Sequence, residues 1–138
     1  MAVALNSGSE RWLELTLLSA LAAPEAATVE VTEGKKRWVF TFEGGALVAT
    51  RSNLKSEQAD AVAEANPTLA GEALAEAIAA RRLRSALKSE AAEWTHKPGA
   101  AAGPREVLPG LRLILGATAG LRAEANLRAV LGLSLIHI

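Results

Sequence analysis

The sequence predicts an α/β domain of the α+β type, in which a three-stranded antiparallel meander and a further short strand pack against about four helices. Apolar and polar residues alternate over three short segments between residues 28 and 50, which is the pattern of half-buried strands. Leucine and alanine recur at helical spacing before and after those segments. With 138 residues, the chain has room for one domain with its own core.

The first element is predicted to be an amphipathic helix from about Trp12 to Ala22, which ends before Pro24. Its leucines at helical spacing are Leu13, Leu17, Leu18 and Leu21. Because burying each one would contribute about 1.5–3 kcal/mol, we expect this helix to belong to the core. In the alternative, Leu13 and Leu15 close a short strand before the helix.

The segment Arg37–Glu57 carries the clearest local signal, a strand pair followed by a polar loop and a helix start. Trp38, Phe40 and Phe42 alternate with mostly polar residues, which indicates an aromatic strand face turned to the core. Gly44-Gly45 suits a two-residue type I′ turn, since that turn needs positive φ at both positions. Such a turn sets the register, with Glu43 opposite Ala46, Phe42 opposite Leu47 and Phe40 opposite Ala49.

The preceding strand is predicted over Thr28–Thr32, joined to the pair through the turn-like Glu33-Gly34-Lys35. Three antiparallel strands at this spacing favour a meander with one covered face and one face in water.

Two helices are predicted directly after the meander. The first begins with Ser56 as N-cap and ends near Ala65. Asn66-Pro67 is typical of a restart, and the second helix extends to about Leu87. The residues expected to line its buried face are Ala70, Ala73, Leu74, Ala77 and Ile78.

The last two elements are a short strand over residues 92–96 and a helix that starts at Leu108-Pro109. The residues expected on the buried face of this helix are Leu111, Ile114, Leu115, Thr118 and Leu121. Gly116 and Gly120 would let another helix approach closely, either within the domain or from a partner. We expect packing within the domain, because the motif is meaningful chiefly in longer apolar segments.

The chain is predicted to comprise a single domain over residues 1–122 and a helical linker over 123–132 toward a C-terminal region that the sequence lacks. Residues 133–138, LSLIHI, match one reading frame of a transposon-end sequencing adapter, so His137 is left out of all site arguments. The alternative is a genuine apolar tail.

Composition narrows the function classes. Lys+Arg and Asp+Glu number 15 each, so no net charge attracts nucleic acid or an anionic membrane. The absence of cysteine excludes disulfides and cysteine-ligated metals. No apolar run approaches the roughly 20 residues of a membrane span, and the first residues lack a signal-peptide pattern. We therefore predict a cytoplasmic protein with no membrane partner.

No catalytic, cofactor or metal site is predicted. The sequence contains no nucleophile elbow, dinucleotide fingerprint or phosphate-binding loop. His96 is the one histidine outside the end segment, and it shares a strand face with Trp94. A general base beside an aromatic wall is one interpretation, and a partly exposed strand histidine is the favoured one.

Two polar segments are candidate contact surfaces. The basic helix end carries Arg81, Arg82, Arg84 and Lys88, of which Arg81, Arg84 and Lys88 share a face. Such a cluster suits phosphate or nucleic-acid contact, although cations at a helix end also offset the helix dipole, which is the favoured interpretation. The second segment comprises Arg51, Ser52 and Asn53, for which helix capping and turn formation is the favoured explanation.

The order of parts resembles the PATAN family, bacterial domains of unknown function at the N-terminus of longer regulatory proteins. The resemblance rests on the leucine-rich first helix, FEGGALVAT, SNL followed by an acid, two Ala/Leu helices, a W-x-x-x-P-G strand end and a final helix with LR. It covers about Leu13–Arg122, and the segment Lys88–Glu93 departs from it. It implies an interaction domain in bacterial signalling or motility without catalytic residues.

We therefore expect a non-enzymatic protein-interaction or sensory input module that binds a protein partner through a sheet face or helix groove and relays to a C-terminal output. Self-association through an exposed meander edge is also open. The alternative is a small nucleic-acid-binding module that uses the region Arg81–Lys88, although the zero net charge argues against nucleic acid. A third class is a hydrolase centred on His96.

Overall fold

The structure is a computed structural model that describes residues 3–5, 10–89, 91–100, 103 and 106–136. Its elements in chain order are β1 (Val3–Leu5), α1 (Glu10–Ala22), β2 (Ala27–Glu33), β3 (Lys36–Glu43), β4 (Ala46–Ser52), a 3₁₀ turn (Lys55–Glu57), α2 (Ala59–Ala65), α3 (Gly71–Lys88), β5 (Glu93–Pro98) and α4 (Gly110–Ile136). The predicted α+β class is confirmed. His137 lies outside the described residues.

The strands form one antiparallel sheet in the order β1-β5-β2-β3-β4. The meander β2-β3-β4 is as predicted, and β5 pairs with the other side of β2. The three-residue β1 extends the sheet beyond β5 and was not predicted, because three residues are too few to show alternation. Leu13 and Leu15 lie in α1, so the alternative of a strand there is wrong.

The hairpin turn confirms the prediction, since Gly44 and Gly45 have φ of 59° and 77°. Glu43 pairs with Ala46 and Phe42 with Leu47, as expected. The predicted pairing of Phe40 with Ala49 is wrong, because Phe40 pairs with Thr50. A β-bulge between Thr41 and Phe42 shifts the register, and an extra residue on one strand is the usual cause of such a shift.

One face of the sheet carries the core. Trp38, Phe40 and Phe42 are fully buried there, as predicted. Helices α1, α3 and α4 pack against this face or against one another. Their large fully buried side chains are Leu13, Leu17, Leu83, Leu87 and Ile114. On the opposite face Thr41 is buried, so the expectation of a face wholly in water holds only in part.

The predicted helix starts after the meander are wrong. Residues Lys55–Glu57 form a 3₁₀ turn, and α2 begins after Gln58, whose side-chain amide donates to the carbonyl of Ser52 at 2.7 Å. Asn66 ends α2 and does not begin α3, because its backbone N–H and its side-chain amide both donate to the carbonyl of Val62. Pro67 therefore lies in the turn before α3.

The buried faces of the two long helices differ from those predicted. In α3 they comprise Ala79, Leu83, Ala86 and Leu87, whereas Ala70, before the helix, and Ala73 are exposed. In α4, Ile114, Thr118 and Leu121 are buried as expected, but Leu111 and Leu115 are 56% and 44% exposed. Leucine occurs on several sides of α4, so spacing alone could not select the buried side.

The outer edge of β4 is closed by hydrogen bonds. The backbone N–H groups of Glu106 and Leu108 donate to the carbonyls of Val48 and Leu47 at 2.8 and 2.9 Å. The side chains of Arg82 and Gln58 donate, through Nη1 and Nε2, to the carbonyls of Thr50 and Ser52, both at 2.7 Å. The expectation that this edge of the meander is open for pairing is therefore wrong at β4. Within the ranges given above, no helix has both the length and the apolarity needed to cross a membrane.

Candidate functional site

Ser52 and Asn53 hold the end of β4 in place. The Ser52 hydroxyl donates to Glu57 Oε1 at 2.7 Å. Asn53 Oδ1 accepts the Arg37 backbone N–H at 2.9 Å, and its Nδ2 donates to the carbonyl of Lys35 at 2.6 Å. These two residues of the candidate contact loop therefore serve local structure, whereas Arg51 is exposed.

Glu57 lies at the centre of a buried polar network. It is only 3% exposed, and its Oε1 accepts the indole N–H of Trp38 at 2.8 Å as well as the Ser52 hydroxyl. Its backbone carbonyl accepts Arg82 Nε at 3.0 Å. A buried carboxylate needs such donors, because an unpartnered charge in the interior is costly. The prediction missed this residue, although the acid after Ser52-Asn53-Leu54 was the signal.

The basic cluster divides into two parts. Arg82 is half-buried, and its Nη1 donates to the carbonyl and hydroxyl of Thr50 at 2.7 and 3.0 Å. Burial lowers the pKa of Arg82, and the charge of Glu57 opposes that shift, so the guanidinium stays protonated. Arg81, Arg84 and Lys88 are exposed on α3. Arg82 is thus a structural residue and not part of the surface cluster.

The side chains of Trp94 and His96 do not form an evident site. Trp94 is buried, and its indole N–H donates to Thr16 Oγ1 at 3.2 Å. His96 pairs with Val29 in the sheet and is partly exposed. In the part of the chain that the structure describes, no three residues of the metal-binding types cluster.

A groove of about 470 Å³ lies on the sheet face opposite the core. Strand register builds its floor, because Glu30, Val39 and Arg51 stand in one row across β2, β3 and β4. Thr28 occupies the neighbouring row and pairs with Lys97 of β5. This volume lies within the range of small-molecule sites.

Positive charge is in excess around this groove. Among its described lining residues, Arg37, Arg51 and Lys97 are cationic and Glu30 is acidic, a formal charge of three minus one. Arg37 Nη2 donates to Glu30 Oε2 at 3.0 Å, which fixes the guanidinium beside the floor. All three residues of the predicted contact loop, Arg51, Ser52 and Asn53, line the groove.

The rim of the groove is fixed by backbone hydrogen bonds. The Thr28 hydroxyl donates to the carbonyl of Gly99, and the N–H of Gly99 donates to the carbonyl of Ala26, both at 2.8 Å. Gly99 has φ of 91°, a conformation that disfavours other residues. The chain therefore leaves β5 along a defined path beside Lys97.

A second exposed surface is the apolar strip of α4, defined as Leu111, Leu115, Gly116, Ala119 and Ala123. Two exposed arginines on the same face of the helix are each paired with an acid of another helix. Arg112 pairs with Glu76 of α3, and Arg122 Nη2 donates to Glu14 Oε2 of α1 at 2.7 Å.

The glycines of α4 do not pack within the domain. Among the described residues, no atom outside the neighbouring helix backbone lies within 4 Å of the position that a β-carbon would take at Gly116 or Gly120. The prediction that these glycines serve close packing inside the domain is therefore wrong.

Comparison with protein-family models, with curated proteins and with solved structures found no match for this chain. The resemblance to the PATAN family stays a prediction.

Proposed function

We propose that this chain is a non-enzymatic protein-interaction module of a bacterial signalling protein, which docks through the apolar strip of α4. The observation that carries the proposal is the exposure of Leu111 and Leu115, at 56% and 44%. Contiguous apolar surface in water is typical of an interaction site. The order of parts described above supports a regulatory context.

The chemistry of the strip favours another apolar helix as the partner. Its members carry no charge, and Arg112 and Arg122 on the same face are paired with acids of α3 and α1. The open space at Gly116 allows a second helix to approach closely, near the lower end of the usual 8–10 Å separation. An acidic peptide would find only Arg112 and Arg122 on this face, and each is already paired with an acid.

The distribution of large and small residues favours a second copy of the chain. Leu111 and Leu115 lie toward the start of α4, whereas Ala119 and Ala123 lie one and two turns further on. In an antiparallel pair with its twofold axis level with Ala117, Leu115 meets Ala119 and Leu111 meets Ala123. Twofold symmetry then makes each leucine of the strip face an alanine, and it places Arg112 opposite Arg122 of the second copy.

The association is expected to be weak. The strip from residue 111 to 123 is about 18 Å long at the helical rise of about 1.5 Å per residue. A surface of that size falls below the roughly 800 Å² per partner of a stable interface, so a dissociation constant of roughly 10–100 μM is expected. Such affinity suits a contact that is made and broken during regulation.

Sedimentation velocity between about 1 μM and 1 mM tests the proposal across the expected dissociation constant. The wild-type chain should shift from monomer to dimer, and Leu115→Glu should remain monomeric because it places a charge in the strip. Leu15→Glu is the matched control, since Leu15 is 47% exposed on α1 and lies outside the strip. A wild-type monomer throughout, or equal behaviour of both variants, would contradict the proposal.

The nucleic-acid alternative is not proposed. Arg82 is engaged with Thr50 and Glu57, which leaves Arg81, Arg84 and Lys88 at the surface of α3. Three cations at a helix end also complement the helix dipole.

A further inference from the structure

We propose that the groove on the open sheet face binds a small molecule that carries a phosphate monoester. This site is independent of the apolar strip of α4, and it would make the chain a sensor as well as a docking module.

The position of the cations supports a single shared ligand. Lys97, Arg37 and Arg51 belong to β5, β3 and β4, three different strands around the floor. Strands are about 4.8 Å apart, so the backbones of β5 and β4 are separated by about 14 Å, with β2 and β3 between them. Lys97 and Arg37 lie one row to either side of Val39 and Arg51 lies in its row, so the three cations surround the floor at Val39.

The described lining of the groove is rich in cations, although the chain as a whole has no net charge. Lys+Arg equals Asp+Glu over the whole sequence, yet the described lining of the groove has three cations for one acid. Guanidinium groups suit phosphate oxygens because their N–H donors are arranged to bind two oxygens at once.

Glu30 gives the groove a defined geometry. Its carboxylate accepts from Arg37 Nη2 at 3.0 Å, so one of the guanidinium's five N–H donors is used and the group is held in place. A positioned donor binds an anion at lower entropic cost than a mobile one. The acid also disfavours ligands with more negative charge than one phosphate carries.

The rest of the lining suits the organic part of the ligand. Val39 offers an apolar floor, and Pro98 and Ala100 stand at the rim. The groove of about 470 Å³ is larger than inorganic phosphate needs and falls in the range of small-molecule sites. Inorganic phosphate should therefore bind more weakly than a phosphorylated sugar or nucleoside.

Titration of the full chain with inorganic phosphate, ribose 5-phosphate and adenosine 5′-monophosphate, followed by amide NMR shifts and calorimetry, tests the site. We expect saturable binding of an organic phosphate, with shifts at residues 28–30, 37–39, 51–53 and 97–100. Lys97→Gln and Arg51→Gln should each weaken binding about tenfold, since each removes one charge-assisted contact.

Arg81→Gln is the control, because it removes the same charge from an exposed position on α3, which is outside the groove. It should leave the affinity unchanged, and thermal melting should show that all three variants are folded. No saturable binding of any probe up to about 10 mM would overturn the proposal, as would equal weakening by Arg81→Gln. Either result would leave the docking proposal for α4 intact, since sedimentation tests that separately.

Discussion

The network around Glu57 and the groove on the open face use polar residues in opposite ways, although they meet on one strand. Ser52 of β4 donates into the network and borders the groove, whereas its neighbour Arg51 belongs to the floor of the groove. Successive residues of a strand point to opposite faces, so adjacent positions can serve two different purposes. The network is buried and internally partnered, whereas the groove is exposed and carries excess positive charge.

This difference separates residues that specify the fold from residues that line the groove. Glu57 and Arg82 join β3, β4, the 3₁₀ turn and α3 by hydrogen bonds. Their loss should therefore reduce stability. Substitutions in the groove should change binding while stability stays nearly constant.

The largest effect is expected for Glu57→Ala. The variant leaves the buried indole N–H of Trp38 without its acceptor, which should lower the free energy of unfolding by about 2–4 kcal/mol. Urea unfolding followed by tryptophan fluorescence measures this change. Ser56→Ala is the neighbouring exposed control and should stay within about 0.5 kcal/mol of wild type. If the two variants were equally stable, the hydrogen bonds of Glu57 would not stabilise the fold, and the prediction would be wrong.

Arg82→Met should have the next largest effect. It retains the aliphatic stem but loses the hydrogen bonds to Thr50 and Glu57, at an expected cost of about 1–2 kcal/mol, since solvent screens a half-buried group. Arg81→Met, one residue earlier and exposed, should change the free energy of unfolding by less than about 0.5 kcal/mol. If the two substitutions cost the same, the division of the basic cluster is wrong.

Glu30→Gln tests the comparison between network and groove by a substitution in the groove. It removes the one acid of the described lining, so affinity for an organic phosphate should rise about two- to fivefold. The melting temperature should remain close to wild type, because an exposed ion pair contributes little to stability. Calorimetric titration and thermal melting report the two quantities separately. Weaker phosphate binding in this variant would mean that orienting Arg37 matters more than the local charge.

The smallest effect concerns pH and Glu33. The Ser89 hydroxyl, helped by the Ala91 N–H and the charge of Lys36, holds the pKa of Glu33 below its usual value, although burial opposes the shift. A carboxyl with a lowered folded-state pKa stabilises the fold above its unfolded pKa, and that stability is lost as pH falls through the folded pKa. Glu33→Gln and Ser89→Ala should therefore both reduce the loss of stability in acid. Urea unfolding midpoints measured from neutral to acidic pH would show the smaller loss of stability. If both variants lost stability with falling pH as steeply as wild type, the prediction would be contradicted.

Local chemistry explains the parts of the fold that the sequence predicted well. Gly44-Gly45 specifies its turn without help from distant residues, and the aromatic alternation of β3 identifies its buried face. The register beyond the turn could not be predicted. The register depends on a bulge beside Leu47. Leu47 also forms a β-bridge with Leu108, in the segment before α4.

The groove illustrates the same limit for a candidate site. Arg51 was proposed from the loop that contains it, but Arg37 and Lys97 were not. Lys97 joins the groove only because β5 pairs with β2, and no feature of β5 itself indicates which edge it takes. The buried side of α4 was also undetermined, since the contacts of α1 and α3 select it.

The hydrogen bonds that close the outer edge of β4 also bear on how readily the protein aggregates. Its outer carbonyls are occupied by one arginine, one glutamine and two backbone N–H groups, and not by a continuous neighbouring strand. When α3 opens locally, Thr50 loses its donor, and a short run of β-prone residues, ALVAT, becomes a template for fibril growth. We therefore expect Arg82→Met to aggregate faster than wild type under conditions in which both remain mostly folded.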